Sequence, residues 1–222
     1  MRGVAVAGGE SPSPEILKKI AEGADLLVAA DSGLLACEAA GLVPDRIVGD
    51  MDSLNDLRRL EKYPPGHVRR FSAAKNFSDT ELALALLREN GCDEIWIAGG
   101  GGGRMDHLIA IASLFESENP PDRWFPGKEE IHCLKDGGVL RGQLPEGSIV
   151  SVFPLVADSE ETGTKEPVSS ATWETESSGL RWPLNDLDWR KGGLGLSNET
   201  VTETFEIRSV RGRFMVVMPV SV

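Results

Sequence analysis

The sequence has little of what membrane, secreted and redox proteins require. Its 222 residues include three cysteines and no apolar run near the ~18 residues of a membrane span. The apolar start of the chain is too short for a secretory signal, and no CxxC pair occurs. An odd number of cysteines argues against a disulfide framework. We therefore expect a cytoplasmic protein with no membrane partner.

Positive charge is also scarce, because 23 basic residues face 35 acidic ones and the net charge is −12. Acidic residues exceed basic ones on both sides of residue 125, so the acidity is not confined to a tail. Such a surface repels nucleic acid, and we expect no nucleic-acid partner. A phosphate-bearing substrate would need a metal ion or a few well-placed basic groups.

The first part of the chain alternates between short apolar runs and stretches with helical spacing. This alternation predicts an α/β domain with a mostly parallel sheet over residues 1–135. Short strands separated by turn signals then predict an antiparallel β-sandwich over residues 136–222. The predicted strands of the first domain are Val4–Ala7, Leu26–Ala30, Arg46–Val48, Val68–Phe71, Ile95–Ala98 and Ile131–Leu134. Its predicted helices are Pro14–Glu22, Ser32–Ala40, Asp79–Asn90 and Met105–Ser117. Those of the second are Gly138–Arg141, Ser148–Pro154, Thr172–Glu176, Val201–Ile207 and Phe214–Met218, with 158–170 as a loop.

Acidic residues follow several of these predicted strands. Asp50 and Asp52 come directly after one strand, and residues two apart in an extended segment project to the same side. Two adjacent carboxylates suit a hard cation such as Mg²⁺. The alternative is that Asp52 or Ser53 caps a helix over 54–60. Asp31 ends another strand, where its commonest role is a helix cap.

The segment 75–81 (KNFSDTE) combines a helix start with groups that could bind phosphate or metal. Ser78 and Glu81 have the spacing of a capping box. That role does not account for Lys75, which could reach a phosphate, and it leaves Asp79 free to bind a metal.

Five glycines, 99–103, precede Arg104, Asp106 and His107 at the start of a predicted helix. Backbone N–H groups at such a place bind anions, and arginine adds a two-pronged donor. No GK[ST] follows the glycines, and Arg104 replaces the last glycine of the dinucleotide fingerprint, so neither common nucleotide motif is present. These residues together favour Mg²⁺-dependent phosphoryl or diphosphoryl transfer, or hydrolysis of such bonds.

Five segments in this order resemble the thiamine pyrophosphokinase family. They are ADSG (30–33), VPDRIVGDMDSL (43–54), KNFSDTELAL (75–84), GGRMDH (102–107) and GLSNE (195–199). The resemblance implies an enzyme that transfers the diphosphate of ATP to thiamine, with AMP as the second product. It implies a homodimer whose first domain binds ATP and Mg²⁺ and whose second helps to bind thiamine at a site shared between subunits.

The same resemblance assigns roles to individual residues. It implies metal or phosphate ligands at Asp50, Asp52 and Asp79, and further active-site carboxylates at Asp31 and Asp106. It implies phosphate contacts at Lys75, Gly102, Gly103 and Arg104, and thiamine contacts at Ser197 and Asn198. Phe214 and Trp182 are candidates for an aromatic platform under the pyrimidine. Core packing is the alternative for both, and we favour it for Trp182. Asp106 is the candidate for the base that accepts the hydroxyl proton.

The chain departs from the family pattern at a few positions. Asn76 replaces an aspartate, Ser78 a threonine and Ser32 a glycine, and Ile111 stands where an asparagine is common. Three alternatives stay open: a diphosphokinase acting on a pterin alcohol, a hydrolase of nucleoside polyphosphates, and a catalytically silent thiamine- or nucleotide-binding protein.

Overall fold

A computed structural model describes residues 1–54, 56–72, 77–155 and 173–221. Lys75, Asn76 and the loop 158–170 lie outside the described residues. The chain divides by its contacts into two compact units, one of residues 1–111 with 121–128 and one of residues 112–120 with 129–221. By this division the strand 129–134 joins the second unit, whereas the sequence-based boundary lies at 135/136. The roles assigned to the two domains stay predictions.

The first unit contains six parallel strands in the order β6-β5-β1-β2-β3-β4. The strands are β1 (Arg2–Ala7), β2 (Leu26–Ala30), β3 (Arg46–Gly49), β4 (Val68–Arg70), β5 (Glu94–Gly99) and β6 (Arg123–Phe125). Val4, Val28, Ile47 and Ile97 in the central strands have no exposed surface. Burial of this kind is typical of parallel strands covered on both faces. The expected α/β domain with a mostly parallel sheet is confirmed.

Helices α1 (Pro14–Ala21), α2 (Gly33–Ala39), α3 (Asp79–Glu89) and α4 (Met105–Ser113) accompany the strands. Ser13 caps α1 and Pro14 is its first residue, as the sequence predicts. The capping box of Ser78 and Glu81 at α3 is also confirmed. Both caps satisfy backbone N–H groups that the first turn of a helix leaves unpaired.

Two local predictions are wrong, and one strand of the first unit was missed. The helix predicted over 105–117 ends as α4 at Ser113 and continues as a short 3₁₀ helix, Leu114–Glu116. The helix considered over 54–60 is a 3₁₀ helix, Leu57–Lys62, with Asp56 as its cap. Strand β6 was not predicted, because three residues between two proline-containing turns give too short a periodic signal.

The second unit contains two antiparallel sheets, in the orders β11-β9-β13-β7 and β10-β12-β8. The strands are β7 (Glu129–Leu134), β8 (Val139–Gln143), β9 (Ile149–Leu155), β10 (Glu174–Ser178), β11 (Gly195–Glu199), β12 (Thr204–Arg211) and β13 (Arg213–Pro219). Val152 of β9, Ile207 of β12 and Val216 of β13 belong to one buried cluster, so side chains of both sheets share a core. The β-sandwich is confirmed.

Two further observations bear on the class of protein. No helix within the described residues is long and apolar enough to span a membrane. Cys37, Cys92 and Cys133 are all free thiols.

Candidate active site

Three aspartates meet at the carboxyl end of the parallel strands. Asp31 follows β2, Asp50 follows β3 and Asp79 begins α3. One carboxylate oxygen from each lies within 4.8 Å of the others. Ligands of open parallel sheets bind at this end of the strands. The family resemblance implies metal or phosphate ligands at Asp50, Asp52 and Asp79. In the structure, Asp31 rather than Asp52 lies close to Asp50 and Asp79.

Unusual backbone conformations allow this approach. Asp31 and Met51 adopt left-handed φ values of 47° and 67°, which cost a residue with a side chain about 1–2 kcal/mol each. Gly49 has φ 142°, and a Cβ there would lie 3.0 Å from Asp79 Oδ1 and 3.1 Å from Asp31 Cβ. Gly49 therefore lets the carboxylates of neighbouring elements come together over the end of β3.

The hydrogen bonds of Asp31 identify one unsatisfied oxygen. The hydroxyl of Ser53 donates to Oδ2. Oδ1 is buried and receives no hydrogen bond from any part of the chain that the structure describes. A buried carboxylate oxygen without a donor is destabilising unless a cation approaches it. Three converging carboxylates with such an oxygen fit a hard divalent cation, which oxygen ligands bind best.

Asp52 lies outside this group of three. The expected extended segment is wrong, because the left-handed conformation of Met51 turns the chain between Asp50 and Asp52. Asp52 is exposed, and its N–H donates to Asp50 Oδ1 at 3.1 Å. Its pKa is raised, first by the negative charge of Asp50 and also by Asp31 and Asp79. Since Asp56 caps the following 3₁₀ helix, neither Asp52 nor Ser53 has the capping role considered for it.

Asp31 also has no capping role. The residue at the start of α2 is Ser32, whose side chain makes no capping hydrogen bond. Gly33 follows, and a Cβ there would lie 1.9 Å from the carbonyl oxygen of Val6. The close contact of α2 with β1 thus accounts for the glycine of the ADSG segment.

Packing accounts for most of the glycine run between β5 and α4. A Cβ on Gly99 would meet the carbonyl oxygen of Ala7 at 2.3 Å, and one on Gly101 would meet that of Pro126 at 1.9 Å. A Cβ on Gly102 would lie 2.7 Å from a carboxylate oxygen of Glu10, whereas one on Gly103 would meet nothing within 4 Å. The run is therefore not by itself evidence of a phosphate site, and the phosphate contacts expected of Gly102 and Gly103 stay predictions.

Arg104 and Asp106 form an ion pair at the start of α4. Nε of Arg104 donates to Asp106 Oδ1 at 3.0 Å, and Nη2 donates to the second carboxylate oxygen. The pair lowers the pKa of Asp106 to about 2. The role of Asp106 as the base that accepts the hydroxyl proton stays a prediction. The guanidinium stays positively charged, but part of its donor capacity is used within the pair.

In the second unit, Asn198 holds the main chain at Trp182. Its Oδ1 accepts from Trp182 N–H at 3.1 Å, and its Nδ2 donates to the Trp182 carbonyl at 2.6 Å. The same Oδ1 also accepts from the N–H of Glu199 at 2.9 Å. Asn198 is 3 % exposed, so its amide is a structural link rather than a free contact for a ligand. The thiamine contact expected of it from the family resemblance stays a prediction.

The two aromatic candidates differ from expectation in their burial. Phe214 has no exposed surface and packs edge-on against Trp189, with 5.2 Å between ring centroids. Trp182 is 55 % exposed, so its expected place in the core is wrong. Alternating burial along β13 could have indicated the buried side of Phe214, whereas the position of Trp182 depends on the distant Asn198. Ser197 is exposed, with φ 56° at an irregularity in the pairing of β11 with β9.

Comparison with known proteins agrees with these features. Residues 17–121 match the family model described as thiamin pyrophosphokinase, catalytic domain. A thiamine pyrophosphokinase of Bacillus subtilis (strain 168) is 36 % identical over 203 residues, which cover 88 % of each chain. A thiamine pyrophosphokinase structure from Bacillus subtilis superposes with a TM-score of 0.75 at 24 % identity, covering 100 % of both chains. One from Geobacillus thermodenitrificans gives 0.72 at 22 % identity, covering 100 % of this chain and 98 % of the other.

Proposed function

Because the chain belongs to the thiamine pyrophosphokinase family, we propose that it transfers the diphosphate of ATP to thiamine. The thiamine hydroxyl oxygen forms a bond to the β-phosphorus of ATP, and the bond from that phosphorus to the α-phosphate oxygen breaks. AMP leaves, thiamine diphosphate forms and the hydroxyl proton is released. The observation that supports this reaction best is the convergence of Asp31, Asp50 and Asp79.

We assign the binding of Mg²⁺ to these three carboxylates. A bound Mg²⁺ supplies charge neutralisation to the transferring phosphates. Asp31 suits this role because its Oδ1 is buried and receives no hydrogen bond from the described residues. Asp52 is retained as a further ligand candidate, one residue beyond the turn at Met51. Arg104 is the described basic residue assigned to phosphate, and Lys75 is a second assignment from the family resemblance.

For thiamine, we propose a surface on the second unit around Trp182 and Ser197. The indole of Trp182 offers a flat apolar face, and Asn198 holds its main chain in place. A net charge of −12 also favours the approach of a cationic thiazolium ring.

We further propose that the protein is a cytoplasmic homodimer. Leu196 lies in the sheet-edge strand β11 and Leu194 directly precedes that strand; their side chains are 61 % and 49 % exposed. Met105 and Ile109 of α4 are 68 % and 60 % exposed. We propose that Leu194 and Leu196, two residues apart at this sheet edge, contribute to a contact surface between subunits. A partner copy would cover them, and the thiamine surface would then be shared between subunits. Light scattering should give twice the chain mass, and Leu196→Glu should reduce it.

The test of the activity is a product assay with ATP, Mg²⁺ and thiamine. Equal amounts of AMP and thiamine diphosphate are expected, and EDTA should abolish both. AMP without modified thiamine would indicate hydrolysis instead. Turnover with a pterin alcohol but not with thiamine would contradict the assigned acceptor.

A further inference from the structure

Ser53 is not one of the three converging aspartates, but its side chain contacts one of them. Its hydroxyl donates to Asp31 Oδ2, and this bond joins the turn after β3 to the turn after β2. The other oxygen, Oδ1, is the buried one that receives no hydrogen bond from the described residues. Ser53 is exposed and Asp56 caps the 3₁₀ helix that follows, so neither packing nor capping accounts for the hydroxyl.

The main chain is held on both sides of this contact. The N–H of Asp31 donates to the carbonyl of Val48 in β3 at 2.8 Å. Ser53 lies in a turn closed by the hydrogen bond from Leu54 N–H to the Met51 carbonyl, at 3.4 Å. The side chains of Met51 and Leu54 are both buried. The hydroxyl is therefore presented to Asp31 from an anchored turn.

The hydrogen bond restricts a rotation that the side chain of Asp31 would otherwise make easily. The last torsion of an aspartate ends at a planar group, and such torsions have broad minima. With the main chain fixed, a donor on Oδ2 sets the direction in which Oδ1 points. Carboxylates that bind metals are commonly oriented by such a partner, whose loss typically weakens metal binding about 10-fold to 100-fold.

We propose that Ser53 is a positioning residue of the cation site. It holds the Asp31 carboxylate so that Oδ1 can bind the divalent cation assigned to the three aspartates. The identification of that cation as Mg²⁺ rests on the proposed function. Ser53 acts through Asp31 and contacts neither the ion nor the substrates.

The alternative is that Ser53 only ties two parts of the chain together. A second link joins the same parts further along: Arg59 of the 3₁₀ helix donates to Glu38 of α2. Lys62 Nζ lies 3.9 Å from the same carboxylate. None of these three residues belongs to the converging carboxylates. Arg59→Gln is therefore the matched control, because it removes a tie between these elements and leaves the hydrogen bond to Asp31 in place.

Three single variants separate the two roles. Ser53→Ala should weaken Mn²⁺ binding about 10-fold to 100-fold, measured without nucleotide from the paramagnetic resonance signal of the free ion. The Mg²⁺ concentration that gives half-maximal turnover should rise by a similar factor, while the thermal midpoint of the metal-free protein stays unchanged. Ser53→Thr keeps the hydroxyl and should bind Mn²⁺ as the wild type does. Arg59→Gln should lower the thermal midpoint, since it breaks a half-buried ion pair, and leave Mn²⁺ binding unchanged.

A double variant tests whether Ser53 acts through Asp31. Adding Ser53→Ala to Asp31→Asn should weaken Mn²⁺ binding no further, because the charged ligand that the hydroxyl orients is already absent. Asp50 and Asp79 remain in this background, so the residual affinity is measured at high Mn²⁺ concentration. Losses that add in the double variant would show that Ser53 acts on the ion independently, which would overturn the proposal.

The outcomes also separate this proposal from the proposed function. Unchanged Mn²⁺ binding in Ser53→Ala, with normal thiamine diphosphate formation, would overturn the positioning role and leave the activity intact. Equal weakening in Ser53→Ala and Ser53→Thr would also overturn it, because the hydroxyl would not be the cause. A wild type whose Mn²⁺ binding depends on Ser53 but that makes no thiamine diphosphate would keep the positioning role and remove the proposed activity. No Mn²⁺ binding by the wild type would overturn both the cation site and the role of Ser53.

Discussion

Two turns at the carboxyl end of the same parallel sheet use glycine in different ways. After β3, Gly49 and the left-handed Met51 allow three carboxylates to converge, and a buried oxygen of Asp31 receives no hydrogen bond from the described chain. After β5, glycines make room for Ala7, Pro126 and Glu10, and the adjacent Arg104 is paired with Asp106.

The difference lies in which groups lack a partner. The turn after β3 brings three carboxylates together, and the described residues supply no hydrogen bond to the buried oxygen of Asp31. The arginine after β5 already has a counter-ion, so an incoming phosphate must compete with Asp106. We infer that the first turn depends on a cation for its function, whereas the second contributes mainly to the packing of the first unit.

The largest effect is expected from Asp31→Asn, which removes a charge from the converging group. Turnover should fall about 10²-fold to 10³-fold, as when a preorganised electrostatic contact to the reacting group is lost. Thermal stability without Mg²⁺ should be maintained or raised, since repulsion among carboxylates decreases. Asp52→Asn is the matched control, for which a smaller loss is expected. A larger loss of turnover in Asp52→Asn than in Asp31→Asn would favour Asp52, with Asp50 and Asp79, as the third ligand.

Two substitutions in the glycine run, with the free energy of unfolding measured in urea, should distinguish a packed glycine from an unpacked one. Gly101→Ala should destabilise the protein by about 2–3 kcal/mol, because its Cβ would lie 1.9 Å from the Pro126 carbonyl oxygen. Gly103 has φ 63°, and a Cβ there would meet nothing within 4 Å. Gly103→Ala should therefore destabilise the protein by about 1 kcal/mol, through the backbone conformation alone. Equal costs would show that packing does not distinguish the two glycines.

Asn198→Ala tests a third place, in the second unit, where a buried amide is hydrogen-bonded to the main chain. Loss of the amide leaves the N–H and the carbonyl of Trp182 without their partners, at a cost of about 1–2 kcal/mol. The KM for thiamine should rise and the fluorescence of the exposed indole should change. Ser197→Ala, which removes only an exposed hydroxyl, should leave the fluorescence unaltered. An unchanged KM in Asn198→Ala would argue against the surface around Trp182.

The smallest effect concerns the pH dependence of the Arg104–Asp106 pair. The pKa of Asp106 is about 2 in the folded protein, below the ~3.9 of a free aspartate. Any stability from the pair is therefore present above pH ~3.9 and is lost as the pH falls through about 2. An NMR titration should give a midpoint near 2 for the wild type and a higher one for Arg104→Gln. Identical midpoints would contradict the assigned cause.

Short-range patterns predicted much of this molecule. The three-residue spacing of Ser78 and Glu81 was enough to predict the capping box of α3. The periodicity of apolar residues was enough to predict α1, α3 and most strands. Asp31 and Asp50 follow predicted strands, and the segment that contains Asp79 was singled out as one that could bind a metal; the structure brings these three residues together.

Features that depend on backbone conformation or distant partners were not predictable. The left-handed Met51 turns Asp52 away from the group, and no propensity requires that conformation at methionine. The exposure of Trp182 depends on Asn198, 16 residues later in the chain. The glycine run was interpreted as a phosphate cradle because the sequence does not reveal that Pro126 and Glu10 pack against it.

The most direct test of the account is manganese binding, followed by electron paramagnetic resonance in the absence of nucleotide. Asp31, Asp50 and Asp79 should hold the ion, and Mn²⁺ reports the site that Mg²⁺ would occupy. The wild type and Asp52→Asn should both reduce the signal of free Mn²⁺, and Asp31→Asn should do so far less. Equal binding by the wild type and Asp31→Asn would contradict the claim that the turn after β3 is completed by a cation.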